Sequence, residues 1–118
     1  MTINQFEDII AWQKAQGLAV LVYDKFHLLK DYSFKDQICR AAVSVSNNIA
    51  EGFERGSDAD FCRFLYIAKG SNAEVKSMLY LAYRLNFMDD QSLNEALLLC
   101  TEIKRILSGL INKLNKAY

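Results

Sequence analysis

Between Phe61 and Leu85, apolar or small residues recur at alternating spacings of three and four: Phe61, Phe64, Ala68, Ser71, Val75, Met78, Ala82 and Leu85. Only an α-helix gathers such a series on one face, and the alternation is the seam of left-handed helix packing. A strand would need a period of two. The 118 residues contain no proline, so nothing in the backbone forces a long helix to kink or stop. These features commit the chain to long helices packed side by side.

The spacing predicts three more helices. The first runs from about Phe6 to Leu29, with Ile9, Trp12, Ala19, Val22, Tyr23 and Phe26 inward and Glu7 and Asp8 in its first turn, where acids complement the helix dipole. Ser33 with Asp36 resembles a capping box and opens the second helix, whose core positions are Ile38, Ala41, Ala42, Val45, Ile49 and Phe53. Gly56 ends it, because glycine adopts the left-handed conformation that caps a helix C-terminus. Ser57 with Asp60 opens the third helix. Asn86 to Gln91 is the next break, with Asp89 or Asp90 as N-cap. The last helix places Leu93, Leu97, Cys100, Ile103, Leu107, Leu110 and Leu114 inward. Short links make sequential helices antiparallel neighbours. The expectation is an all-α fold, an up-down-up-down antiparallel four-helix bundle forming a single domain over residues 1–118.

Tyr66, Tyr80, Tyr83, Leu98 and Leu99 lie off the principal stripes. A helix apolar on more than one face has more than one partner, so the bundle is expected to self-associate. A wide intramolecular core is the alternative use of the same residues.

Composition narrows the functions. Fourteen basic residues balance fourteen acidic ones, so no bulk field favours nucleic acid and only a local patch could hold it. Cys39, Cys62 and Cys100 are far apart within apolar segments and read as reduced, buried thiols. No signal-peptide pattern and no membrane-length apolar run occurs, which leads to an expected cytoplasmic location. The single histidine gives one carboxylate-x-x-His pair, Asp24 with His27, whereas di-iron bundles use two such pairs plus two further carboxylates. No phosphate loop, nucleophile elbow or dinucleotide fingerprint appears. Neither catalytic nor metal-binding residues are assigned, no cofactor is implied, and an enzyme is not expected.

The polar residues of the second and third helices are more informative. Asn48, Glu51, Ser71 and Glu74 fall on or beside the apolar stripes, where an unpaired polar group is costly. With the turn centred near Gly56, Ser44 should face Ala68, Arg40 should face Asn72 near Glu74, and Glu51 should face Phe61. An Arg40–Glu74 charge pair follows, as does a close backbone approach of Ala41, Ala42 and Ser44 to Ala68, Gly70 and Ser71. Glu51 and Arg55 can pair at i and i+4 or reach another chain. The set Arg40, Ser44, Asn48, Glu51, Arg55, Ser71 and Glu74 either fixes register and subunit assembly or forms a polar site. A second set is basic: Lys69, Lys76, Arg84, Lys104, Arg105, Lys113 and Lys116. It either answers helix dipoles or contacts phosphate.

The run Gln37-Ile38-x-Arg40-Ala41-Ala42-x-Ser44-x-x-Asn47-Asn48-Ile49-Ala50-Glu51-Gly52-x-x-Arg55, followed by Phe61, Phe64, Ala68, Gly70-Ser71 and Glu74, resembles the four-helix-bundle proteins of the rRNA intervening-sequence family. Trp12-Gln13-Lys14-Ala15 also fits the family's first helix, and the resemblance spans about Phe6 to Leu114. It implies a bacterial bundle assembled as a ring-like homopentamer. Related accessory proteins of diversity-generating retroelements associate with a reverse transcriptase and nucleic acid. The resulting expectation is a non-catalytic homo-oligomer, a pentamer, acting as an adaptor for RNA or an RNA-handling protein. A protein-binding scaffold with no nucleic-acid role is the alternative.

Overall fold

The computed structural model describes residues 3–116. After a single 3-10 turn at Phe6–Asp8, four helices follow: α1 Ile10–Phe26, α2 Tyr32–Glu54, α3 Asp58–Arg84 and α4 Asp90–Lys116. Each packs on the next, and α1 closes the ring against α4, while the diagonal pairs stay apart. This is the antiparallel four-helix bundle that the periodicity predicts. The 27-residue α3 and α4 set the 46 Å long dimension across a section of 21 × 19 Å.

Local chemistry explains most of the boundaries. The Ser57 hydroxyl accepts from the Asp60 N–H at 3.1 Å and caps α3. Gly56, at φ 87°, supplies the left-handed residue that the α2–α3 turn requires. Asp89 caps α4 by accepting from the Ser92 N–H at 2.8 Å.

Two helix starts differ from expectation. Ile9 is extended, so the Phe6–Asp8 turn is separate from α1, which begins at Ile10 and ends at Phe26 rather than Leu29. The α2 cap is Asp31, not Ser33: its carboxylate accepts from the Phe34 N–H at 3.1 Å. Phe34 can then pack its ring between Phe26 and Phe87, at centroid distances of 5.8 and 5.3 Å. Aromatic packing of that kind adds about 1 kcal/mol beyond buried area, enough to favour the earlier start.

The core also departs from the expected stripes. In α1, Ala11, Ala15 and Leu18 join Ile9, Val22 and Phe26 inside, while Trp12 and Ala19 are half-buried and Tyr23 is exposed. In α3, Leu65, Asn72 and Leu79 are buried, Ser71 is half-buried and Leu85 is exposed. In α4, Ala96 and Ile111 are buried, and Leu97 and Leu110 lie at its margin. Each inner helix touches two neighbours, so its buried sector is wider than a single two-helix seam. Small residues then fill positions where helices approach closely.

Candidate functional site

Two faces of α3 carry the polar chemistry. Toward α2, the Ser44 and Ser71 hydroxyls hydrogen-bond at 2.9 Å across the interface. The Asn48 amide donates to the Ser44 carbonyl oxygen at 2.8 Å and to its hydroxyl at 2.9 Å. This half-buried cluster therefore joins α2 to α3 through three side chains of the predicted polar set.

The Ser44 contact falls on Ser71, three residues beyond the expected Ala68, while Gln37 and Glu74 meet close to the expected register. Other expected pairings also differ. Arg40 is exposed and makes no ion pair among the described residues, while Glu74 accepts from the Gln37 amide at 3.5 Å. Asn72 does not face Arg40 but turns toward α4. Glu51 does not face Phe61: it is exposed and pairs with Arg55 at 3.3 Å. The close approach belongs to Gly52, not to Gly70. A Cβ at Gly52 would collide with the Phe64 Cβ, whereas one at exposed Gly70 would meet nothing within 4 Å. The turn places the rings of Phe61 and Phe64 over α2 just where α2 has no side chain. Arg40, Ser44, Asn47, Asn48 and Glu51 then line one shallow outer surface with Tyr23 of α1.

Toward α4, a groove of about 660 Å³ runs between α3 and α4. Lys69, Lys76 and Lys104 line it with Tyr66 and Tyr80, and Gly70, Ala73 and Ser77 keep its α3 wall low. Among the described residues no carboxylate lines it. Two acids of these helices are engaged elsewhere: Glu102 pairs with Lys14 of α1 at 2.6 Å, and Glu74 takes the Gln37 contact on the α2 side. The three lysines make no ion pair among the described residues.

Asn72 contributes to the groove's floor at 2% exposure. Its Nδ2 donates to the Cys100 carbonyl oxygen at 2.9 Å, while its Oδ1 has no partner among the described residues. Burial pushes the Cys100 thiol up to about 11, against the opposing pull of the Lys76 ammonium. That thiol stays protonated and unreactive near neutral pH. Cys39 is likewise buried with its pKa raised, first by burial, whereas Cys62 is only half-buried and lies 3.4 Å from the Asn115 Oδ1. The expectation of three buried thiols therefore holds for two.

The remaining basic residues are dispersed. Arg84 lies at the α3–α4 turn beside Asp89 and Asp90. Arg105 is exposed on α4, and Lys113 and Lys116 occupy its last turn. That turn lies beside the start of α3, where Asp58 and Arg63 share a surface with Leu114 and Asn115. His27 sits exposed just past α1 with its Nδ1 2.8 Å from the Asp24 carbonyl oxygen, a local contact. Sequence spacing supplied the three groove lysines but named Asn72 only as a partner for Arg40. Its only signal was a polar residue one step from the Phe61–Leu85 stripe.

A solved structure with this fold comes from Bacteroides thetaiotaomicron, a protein of unknown function from the S23 ribosomal protein family. It is 26% identical, superposes with a TM-score of 0.81, and the alignment covers 86% of this chain and 98% of that one. No curated protein matches. Residues 7–109 match the family described as 23S rRNA-intervening sequence protein. With the bundle geometry and the Gln37–Arg55 motif, that match establishes that this chain belongs to the 23S rRNA-intervening sequence protein family.

Proposed function

We propose that the protein is a non-catalytic bacterial homo-oligomer that acts as an adaptor for RNA, and that the α3–α4 groove is its RNA-facing surface. The observation that carries this reading is the groove itself: Lys69, Lys76 and Lys104 come from two helices, and among the described residues no carboxylate lines the space between them. A chain of zero net charge can hold a polyanion only where such a local excess exists. The polar cluster on the α2–α3 face, with exposed Ile67 beside it, supports self-association away from the groove. A pentamer is the assembly that the family resemblance implies. Ring symmetry would repeat the three lysines in each subunit, turning a weak patch into a multivalent one.

The test is fluorescence anisotropy with a mixed pool of labelled structured RNAs, titrated with salt. Binding that falls linearly on a log–log plot supports the adaptor, and changing Lys69, Lys76 and Lys104 together to Gln should lower the slope. Absence of binding even at low salt removes the reading.

A scaffold for protein partners, with no nucleic-acid role, is the second reading. It is favoured by the exposed apolar side chains of α3, Tyr66, Ile67, Tyr80 and Leu81.

A further inference from the structure

Resting on the RNA-adaptor reading, we propose that the α3–α4 groove takes single-stranded RNA, its bases stacking on Tyr66 and Tyr80 and its phosphates meeting Lys69, Lys76 and Lys104. The interleaving of ring and charge points to this class. Along α3 the order is Tyr66, Lys69, Lys76, Tyr80, all on the wall facing α4, with Lys104 across from them. Tyr66 and Tyr80 are 54% and 49% exposed as residues, so neither is spent in the core.

At 1.5 Å per residue the two tyrosines stand roughly 21 Å apart and the two α3 lysines roughly 10 Å apart. That reach suits a segment on the order of four nucleotides, the lower end of known single-strand sites. Between the rings, Gly70, Ala73 and Ser77 raise no bulky side chain, so a chain can lie along the wall without a steric block.

A duplex fits these features poorly. Its base faces are stacked inside the helix and would leave both tyrosines without a partner. It also presents phosphates on a convex cylinder, whereas Lys69, Lys76 and Lys104 line a cleft between two helices about 8–10 Å apart. The groove continues past both tyrosines. Beyond Tyr66 it is lined by Cys62, Leu114 and Asn115, and beyond Tyr80 by Leu97, Leu98 and Thr101. Beyond Tyr66 the lining adds one base, Arg63, beside one acid, Asp58, and beyond Tyr80 it adds no further base, so the excess of positive charge is greatest in the central stretch.

The experiment compares the full-length protein's binding to labelled 12-nucleotide poly-uridine with its binding to an RNA hairpin of the same length. The expected result is tighter binding of the single strand, with a log–log salt slope of about −2, as three phosphate contacts would give. Tyr66→Ala and Tyr80→Ala should each weaken that binding roughly tenfold. Tyr66→Phe and Tyr80→Phe should restore it, because stacking needs the ring and not the hydroxyl. Both rings are exposed, so circular dichroism should show every variant folded.

Binding of the hairpin in preference, unaffected by the alanine variants, would overturn the single-strand inference while leaving the adaptor intact. Failure of both probes at low salt would remove the adaptor reading as well. If Tyr66→Ala instead lowers the sedimenting mass, a second copy of the chain covers the groove, and the inference is wrong.

Discussion

Gly52 and Gly70 show how a single missing side chain acquires meaning only from what lies opposite. Both interrupt helices, at an intrinsic cost of about 1 kcal/mol each relative to alanine. Gly52 is buried against Phe64 and Phe61, and a methyl group there must displace backbone-anchored atoms of α3. Gly52→Ala should therefore destabilise the bundle by roughly 1–3 kcal/mol despite its better helix propensity. Gly70→Ala, facing open space, should stabilise it by about 1 kcal/mol. Chemical denaturation of the two variants checks the pair; equal effects would contradict the packing. The Arg40 result has the same root. Sequence spacing could put Arg40 and Glu74 within reach, but only the true register shows Glu74 taken by Gln37 and Arg40 left on the outer surface.

At the scale of elements, capping governs where the helices begin, and one cap carries a pH signature. The hydrogen bonds from Ser92 hold the Asp89 carboxyl below the usual carboxylate range. A carboxyl depressed in the folded state contributes stability that is fully present above its unfolded value, near pH 4, and is lost as pH falls through its folded value. The difference in melting temperature between the protein and Asp89→Asn should thus be constant from neutral pH down to about pH 5 and change below about pH 4. An unchanging difference down to pH 2 would show that the cap carboxylate is not engaged.

The α3 start was legible because Ser57 directly precedes the periodic run, whereas for α4 the sequence left Asp89 or Asp90 open and the Ser92 N–H selects Asp89. The α2 start was not legible. Asp31 and Ser33 are both competent caps, and the choice was made by Phe34 packing between Phe26 and Phe87, residues of other segments.

For the whole molecule, the exposed apolar side chains of α3 and the polar cluster beside them make self-association the expected state. Analytical ultracentrifugation at micromolar concentration should give a species several times the 13.5 kDa chain mass. Ile67→Asp, on the α2 side of α3, should reduce that mass without loss of helix content. A wild-type monomer would remove the assembly proposal and leave Ile67 and Leu81 of α3 exposed to water.

The sequence by itself determined four helices, their antiparallel order and most of their core. Hydrophobic periodicity, caps and the absence of proline are local properties that hold whatever else the chain touches. It also singled out the residues that became functional candidates. Only the tertiary structure decided which of those residues meet. A helix spreads its side chains around a full circle, so a small rotation or slide of one helix against its neighbour redistributes partners without disturbing either apolar stripe. In place of an Arg40–Glu74 bridge, the interface holds the Ser44–Ser71–Asn48 cluster and a Gln37–Glu74 contact. The packing of α4 against α3 gathered three of seven basic candidates into one groove and left the other four at turns, ends and open surface. Side-chain convergence across helices depends on axial register and rotation, and neither is written in the spacing of a single helix.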